Sequence, residues 1–211
     1  AFEQSDSGLS LVDMMDLDLL VGSGGVLSHA PRREQSARML IDSFLPEGIT
    51  QLAVDSIFMM PQLGVLANID QKDLSENARK AALEVFNKDC LIRLGTCIAP
   101  VGKAKNGDLI LSTTLEMSDG SEKQIDLHQG ELLAISADYE PIKSKLKPAK
   151  GIDIGAGKNE EISTTLYGGV IGLVFDGRGR PFNLPNENDK RIDSLNIWSN
   201  AMNEYPTGGE K

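Results

Sequence analysis

Cysteine, histidine and aromatic residues are scarce in this chain of 211 residues. It has two cysteines and two histidines, and aromatic residues make up 5% of it. Cys90 and Cys97 lie in one β-branched-rich stretch, at a spacing that puts their side chains on opposite faces of a strand. We therefore expect two buried cytosolic thiols, with a disulfide as the less favoured alternative. Because His29 and His128 stand in unrelated contexts, no metal-ligand cluster is expected.

Basic residues and long apolar runs are lacking as well. Lysine and arginine number 21 against 31 aspartates and glutamates, which gives a net charge of −10. This balance argues against a protein that grips a nucleic-acid backbone. No apolar run approaches the roughly 18–20 residues of a membrane helix, and the N-terminus lacks the pattern of a signal peptide. We therefore expect a cytoplasmic protein. No Ser/His/Asp or Cys/His arrangement is apparent, so we expect no catalytic residues in this chain.

Residues 1–88 show the alternation of an α/β segment. Asp16–Val21 has the pattern of a strand and ends at Gly22-Ser23-Gly24-Gly25. Pro31 suits the first turn of a helix, whose apolar face recurs at Ala37, Leu40, Ile41 and Phe44. A short buried strand at 52–54 and two helices follow, the second with a capping-box-like start at Asp73 and Glu76.

Residues 89–185 contain short strand patterns separated by turn signals instead of helices. The predicted strands are 91–99, 108–117, 123–127, 131–135, 142–146, 161–167 and 170–176, with Ser118-Asp119-Gly120 as a hairpin tip. Strands at this spacing predict an all-β barrel or sandwich. In residues 186–211 a short helix over 189–202, anchored by Trp198, precedes a polar tail. The predicted class of the whole chain is therefore α+β.

The glycine loop, which we define as Gly22, Ser23, Gly24 and Gly25, is the strongest candidate site. A glycine-rich turn between a buried strand and a helix lets backbone N–H groups approach a ligand closely. Phosphate or adenosine binding is one interpretation, and a tight turn without a ligand is the other, because neither a P-loop lysine nor a dinucleotide fingerprint is present. The adjacent cluster of His29, Arg32 and Arg33 fits either an anion site or a solvated helix start.

Two further glycine-rich segments carry weaker signals. Asp153-Ile154-Gly155-Ala156-Gly157 has the composition of a phosphate-binding hairpin, but it opens on a Pro-Ala-Lys segment and a β-turn is the favoured interpretation. The segment 177–181, Gly-Arg-Gly-Arg-Pro, presents two arginines. An exposed loop is favoured there, with anion or partner binding as the alternative.

Three ordered stretches resemble one protein family. They are 19–32, which holds the glycine loop, 87–102, which contains Leu-Gly-Thr-Cys-Ile-Ala-Pro-Val-Gly at 94–102, and 168–181, which begins Gly-Gly-Val-Ile-Gly-Leu-Val. Together they resemble the C-terminal part of the glutamate mutase accessory proteins of the MutL/GlmL type, which are unrelated to the mismatch-repair protein of similar name. The resemblance runs in order from about Leu17 to Trp198.

The resemblance implies an actin/Hsp70-like ATPase with a chaperone-like, reactivating role for an adenosylcobalamin-dependent mutase. The α/β segment would be the remnant of the actin-like lobe, the glycine loop would bind the adenosine of ATP, and His29, Arg32 and Arg33 would lie beside it without an assigned role. The phosphate hairpins and catalytic carboxylate that precede this loop in such ATPases are not among the 211 residues, so hydrolysis by this chain alone is not expected. A non-catalytic β-barrel interaction module with no nucleotide role is the alternative.

Overall fold

The fold is of the α+β class, as predicted. The computed structural model describes residues 12–68 and 75–205. The strands are β1 (Leu19–Gly22), β2 (Gly48–Asp55), β3 (Leu91–Ala99), β4 (Leu109–Glu116), β5 (Glu122–His128), β6 (Leu132–Ile135), β7 (Pro141–Pro148), β8 (Ile162–Tyr167) and β9 (Gly172–Asp176). The helices are α1 (Gly25–Ser28), α2 (Arg33–Phe44), α3 (Met60–Ala67), α4 (Ser75–Val85) and α5 (Asn188–Ala201), with a 3-10 turn at Met14–Asp16 and a π-helical turn at Phe86–Cys90.

The first sheet has five strands in the order β1-β2-β3-β9-β6. β1 runs parallel to β2, and β3 runs parallel to β9, whereas β2–β3 and β9–β6 are antiparallel. The sheet therefore joins strands from both sides of residue 89, where the sequence pattern changes from α/β to all-β. The division into segments 1–88 and 89–185 stays a prediction about the chain, and this sheet is continuous across it.

The second sheet is antiparallel throughout, in the order β5-β4-β7-β8. Its β4–β5 hairpin turns at the predicted Ser-Asp-Gly tip, where the Gly120 N–H donates to the Met117 carbonyl at 2.9 Å. Of the two predicted alternatives, barrel or sandwich, the barrel is wrong, because neither sheet closes on itself. The physical reason is that β3, β6 and β9 pair within the first sheet, which leaves four strands for the second.

One apolar core lies between the sheets and another covers the opposite face of the first sheet. The inter-sheet core combines Ile98, Leu173 and Phe175 of the first sheet with side chains of the second, including Leu111 and Leu146. On the other face, α2 and α5 pack their apolar side chains against the strands. The buried members there include Ala37, Leu40, Ile41, Leu52, Val54, Val174 and Trp198, which confirms the predicted helix face and anchor.

A smaller cluster lies under the helices α3 and α4. Leu63, Ala82 and Cys90 are its buried members. The predicted capping residue Asp73 lies outside the described residues. Within residues 12–68 and 75–205, no helix is long and apolar enough to span a bilayer.

The parallel pairing of β1 and β2 positions the candidate site. Leu19 pairs with Gln51 and Gly22 with Val54, so both strands end at the same edge of the sheet. The glycine loop therefore leaves the sheet beside Asp55, the last residue of β2.

Candidate functional site

The first two glycines of the glycine loop have structural reasons to be glycine. A Cβ on Gly22 would lie 2.8 Å from Leu27 Cδ1 and 2.9 Å from Leu40 Cδ2, so a side chain there would disturb the packing of β1 against the helices. Gly24 has φ +113°, a left-handed conformation that favours glycine. Gly25 differs from both, because a Cβ there would meet no described atom within 4 Å. The backbone at Gly25 therefore borders open space.

The helix that follows the loop is a single turn. In α1 the Ser28 N–H donates to the Gly24 carbonyl at 2.8 Å, and the His29 N–H donates to the Gly25 carbonyl at 3.0 Å. The longer helix α2 begins at Arg33, with Arg32 in the N-cap position. Pro31 therefore precedes this helix instead of standing in its first turn.

The predicted basic cluster is divided between two contacts. Arg33 Nη1 donates to the Ser28 carbonyl at 3.0 Å, which ties this cation to the turn after the loop. Arg32 pairs instead with Glu34 at 2.7 Å. His29 ends α1 and is exposed. The structure thus brings Arg33 to the glycine-loop turn, whereas Arg32 is engaged at the start of α2.

Asp55 is a central residue of the site that the sequence analysis missed. Its fully buried carboxylate accepts from Ser23 Oγ at 3.2 Å, from the Met59 N–H at 3.1 Å and from the Met60 N–H at 2.9 Å. Its backbone carbonyl accepts from Ser28 Oγ at 2.5 Å. Asp55 therefore ties the glycine loop to the start of α3.

The signal that could have revealed Asp55 is an aspartate at the end of an apolar strand. A carboxylate that is buried without a cation must be held by several hydrogen-bond donors. Such donors are most accessible where a strand gives way to a turn, since a turn exposes backbone N–H groups.

An aromatic side chain lies beside the exposed part of the loop. Phe58 has φ +64°, and its side chain is exposed despite its size, with a fractional exposure of 48%. A Cβ on Gly24 would lie 3.9 Å from Phe58 Cε2, so the ring stands beside the loop. Val26, directly after the loop, and Ile57, directly before Phe58, are exposed as well.

The interpretation of segment 177–181 as an exposed loop is wrong. The side chains of Arg178 and Arg180 are 0% and 3% exposed. Arg178 donates to both carboxylate oxygens of Asp176, at 2.8 and 2.9 Å, and it pairs with Asp42 at 2.7 Å. Arg180 donates to Asp176 at 3.0 Å and to the Pro46 carbonyl at 2.9 Å.

This arginine cluster, made of Asp42, Asp176, Arg178 and Arg180, is electrostatically balanced. Burial alone raises the pKa of Asp176, but the hydrogen bond from Arg178 and the charges of Arg180 and Arg178 outweigh it and lower the pKa to about 2. Both arginines therefore form ion pairs with carboxylates of the protein itself. A cavity of about 630 Å³ lies alongside, lined by Arg178, Arg180, Asn106, Gln129 and Trp198 among others.

The remaining candidate residues have structural roles. Asp153 Oδ1 accepts from the N–H groups of Gly155 at 2.9 Å and Gly157 at 3.1 Å, which confirms a turn at this segment. Cys90 and Cys97 are free and buried, as predicted. Burial and the charge of Asp176 raise the pKa of Cys97 to about 12. Among the residues that the structure describes, no group of three or more His, Cys, Asp or Glu side chains is placed to hold a metal ion.

The comparison with known families identifies the part of the chain that contains the glycine loop. Residues 9–90 match the family model described as "MutL protein". The matched range includes the glycine loop, the start of α2, Asp55 and Phe58. No curated protein and no solved structure matches the chain. The predicted resemblance to the MutL family of the glutamate mutase accessory type, distinct from mismatch-repair MutL, is thereby confirmed over residues 9–90.

Proposed function

We propose that this chain is part of a cytoplasmic, chaperone-like accessory protein for an adenosylcobalamin-dependent mutase. In this proposal the glycine loop binds the adenosine moiety of ATP. The family match over residues 9–90 supports the accessory role. The proposal of nucleotide binding rests on the exposed backbone at Gly25, which lies at the edge of the sheet where two parallel strands end. Crevices at the carboxyl ends of parallel strands are where open α/β sheets bind their ligands.

The residues of the loop fit a nucleoside. The backbone at Gly25 can approach a ligand closely because no side chain intervenes. Ser23 is held by the Asp55 carboxylate, so the loop keeps a fixed position relative to α3. Phe58 and Val26 supply apolar surface at the same place. The nucleotide would supply binding free energy that favours one arrangement of the loop over another.

The role that we propose for this chain is a conformational one, without a covalent step. Asp55 joins Ser23 of the loop to the N–H groups that begin α3, so a displacement of the loop would be passed to α3. α3 packs against α4, and a partner that contacts either helix would respond to the nucleotide. The cobalamin would belong to the mutase.

The test of nucleotide binding uses the 211-residue chain and adenosine, AMP and ADP, measured by calorimetry. Gly25→Asp places a carboxylate in open space at the loop, and we expect it to weaken binding at least tenfold without loss of stability. Gly64→Asp is the matched control, because a Cβ at Gly64 also meets no described atom within 4 Å. Binding that is absent from the unmodified chain, or equal in Gly25→Asp, would contradict the nucleotide proposal.

The partner half is tested with a purified adenosylcobalamin-dependent glutamate mutase. We expect the chain to bind the mutase with an affinity that changes when ADP is added, and we expect Gly25→Asp to abolish that change. If ADP does not change the affinity for the mutase in either the unmodified chain or Gly25→Asp, the result would favour the alternative, an interaction module with no nucleotide role.

A further inference from the structure

The backbone at Phe58 is unusual for a bulky residue. Its φ of +64° lies in the left-handed region, which large side chains rarely adopt, and such residues concentrate at functional sites. Both carboxylate oxygens of Asp55 stabilise this conformation. They accept hydrogen bonds from the N–H groups of Met59 and Met60, the two residues that follow Phe58. The fold therefore maintains a strained turn that presents an aromatic ring.

The ring of Phe58 contributes little to the core. It is about half exposed, and it is not among the side chains that pack in the three apolar clusters. It stands instead beside Gly24, whose added Cβ would lie 3.9 Å from Phe58 Cε2. A flat apolar surface thus faces solvent next to the backbone of the glycine loop.

The Asp55 carboxylate, which holds the Phe58 turn, favours the base of a nucleotide over its phosphates at this position. Arg32 is paired with the Glu34 carboxylate, whereas Arg33 keeps its positive charge and donates to the neutral Ser28 carbonyl. The buried carboxylate of Asp55 would repel a phosphate brought close to it. A purine ring is uncharged and flat, and stacking on an aromatic side chain stabilises a bound base.

We propose that Phe58 is a binding residue of the adenosine site, whose ring stacks on the face of the purine base beside Gly24. This inference rests on the proposed function, because it assigns the base-binding surface of the same site. Asp55 is the positioning residue, since it holds both the Phe58 turn and Ser23. The ligand class that follows is a purine nucleoside or its phosphates.

The test compares binding of adenosine and ribose 5-phosphate by the 211-residue chain and its variants. We expect Phe58→Ala to weaken adenosine binding about tenfold or more, as for loss of a stacked base, and to leave any binding of ribose 5-phosphate unchanged. Phe58→Tyr should retain adenosine binding. Tyr205→Ala is the matched control, since Tyr205 is an exposed aromatic residue that follows α5, and it should change binding less than twofold.

Phe58→Gly separates the ring from the strained backbone. Glycine adopts φ +64° without strain, so this variant should be at least as stable as the unmodified chain and yet bind adenosine as weakly as Phe58→Ala. If the unmodified chain does not bind adenosine, the proposed function fails and this inference fails with it. If the unmodified chain binds adenosine, and Phe58→Ala and Phe58→Gly bind it as tightly, the inference alone is overturned. An equal loss for ribose 5-phosphate would also overturn it.

Discussion

Two glycine-rich loops leave the first sheet, and the protein uses them in opposite ways. The glycine loop follows β1, and the segment 177–181 follows β9. In the second loop two arginines are buried and form ion pairs with Asp176 and Asp42, so their charges are paired within the protein. In the first loop the backbone at Gly25 and the ring of Phe58 stay exposed.

The two loops share an anchor of the same kind. Each lies beside a buried apolar strand that ends in a fully buried aspartate, Leu-Ala-Val-Asp55 in β2 and Leu-Val-Phe-Asp176 in β9. Asp176 is satisfied by arginine side chains, whereas Asp55 is satisfied by a hydroxyl and two backbone N–H groups. The comparison shows that charge in a loop is poor evidence of a ligand site, because the fold can require that charge for itself.

The largest effect is expected from removing Arg178. Arg178→Ala would leave Asp176 buried with Arg180 as its remaining cation, and breaking a buried ion pair costs about 3–5 kcal/mol. We expect the free energy of unfolding in urea at pH 7 to fall by about 3 kcal/mol. Lys190→Ala is the control on the exposed pair with Glu187, with an expected cost of about 0–1 kcal/mol. Equal losses in the two variants would mean that the arginine cluster is not a structural anchor.

A smaller effect is expected from acid, through Asp176. Its pKa is lowered from 3.8 to about 2 in the folded protein, so its stabilising contribution is full above the unfolded pKa and is lost as the pH falls through the folded pKa. The contribution is about 2 kcal/mol. Urea unfolding between about pH 5 and about pH 1, which brackets both pKa values, should show a steeper decline for the unmodified chain than for Asp176→Asn. Parallel declines would count against the assignment.

The smallest effects distinguish the glycines of the glycine loop. Gly24→Ala should lower the free energy of unfolding by about 1 kcal/mol, because alanine at φ +113° is strained. Gly25→Ala should change it by less than about 0.5 kcal/mol, since its Cβ meets open space. Thermal melts of the two variants measure this difference, and a larger loss at Gly25 would show that the loop is packed where we describe it as open.

Local patterns in the sequence predicted most of the strands and helices. β3 was predicted at its observed bounds, and Ala37, Leu40 and Ile41 form the buried helix face as expected. The joining of β3, β6 and β9 to β1 and β2 in one sheet was not predicted, because strand alternation does not specify partners distant in the chain. The predicted barrel was wrong for the same reason.

The candidate site was predicted only in its backbone part. The glycine loop was predicted from its own composition, whereas Asp55, which is 32 residues beyond Ser23, and Phe58 reach the loop only through the parallel pairing of β1 and β2. The burial of Arg178 could not be predicted from the sequence either, because it depends on the contact between Asp42 of α2 and the loop that follows β9.

The most direct test of the account is amide hydrogen exchange of the 211-residue chain with and without saturating adenosine. We predict that adenosine slows exchange at residues 22–28 and 55–60 and leaves residues 177–181 unchanged. Protection at 177–181 without protection at 22–28, or no protection in either loop, would contradict the claim that the glycine loop is the ligand site and the arginine cluster a structural anchor.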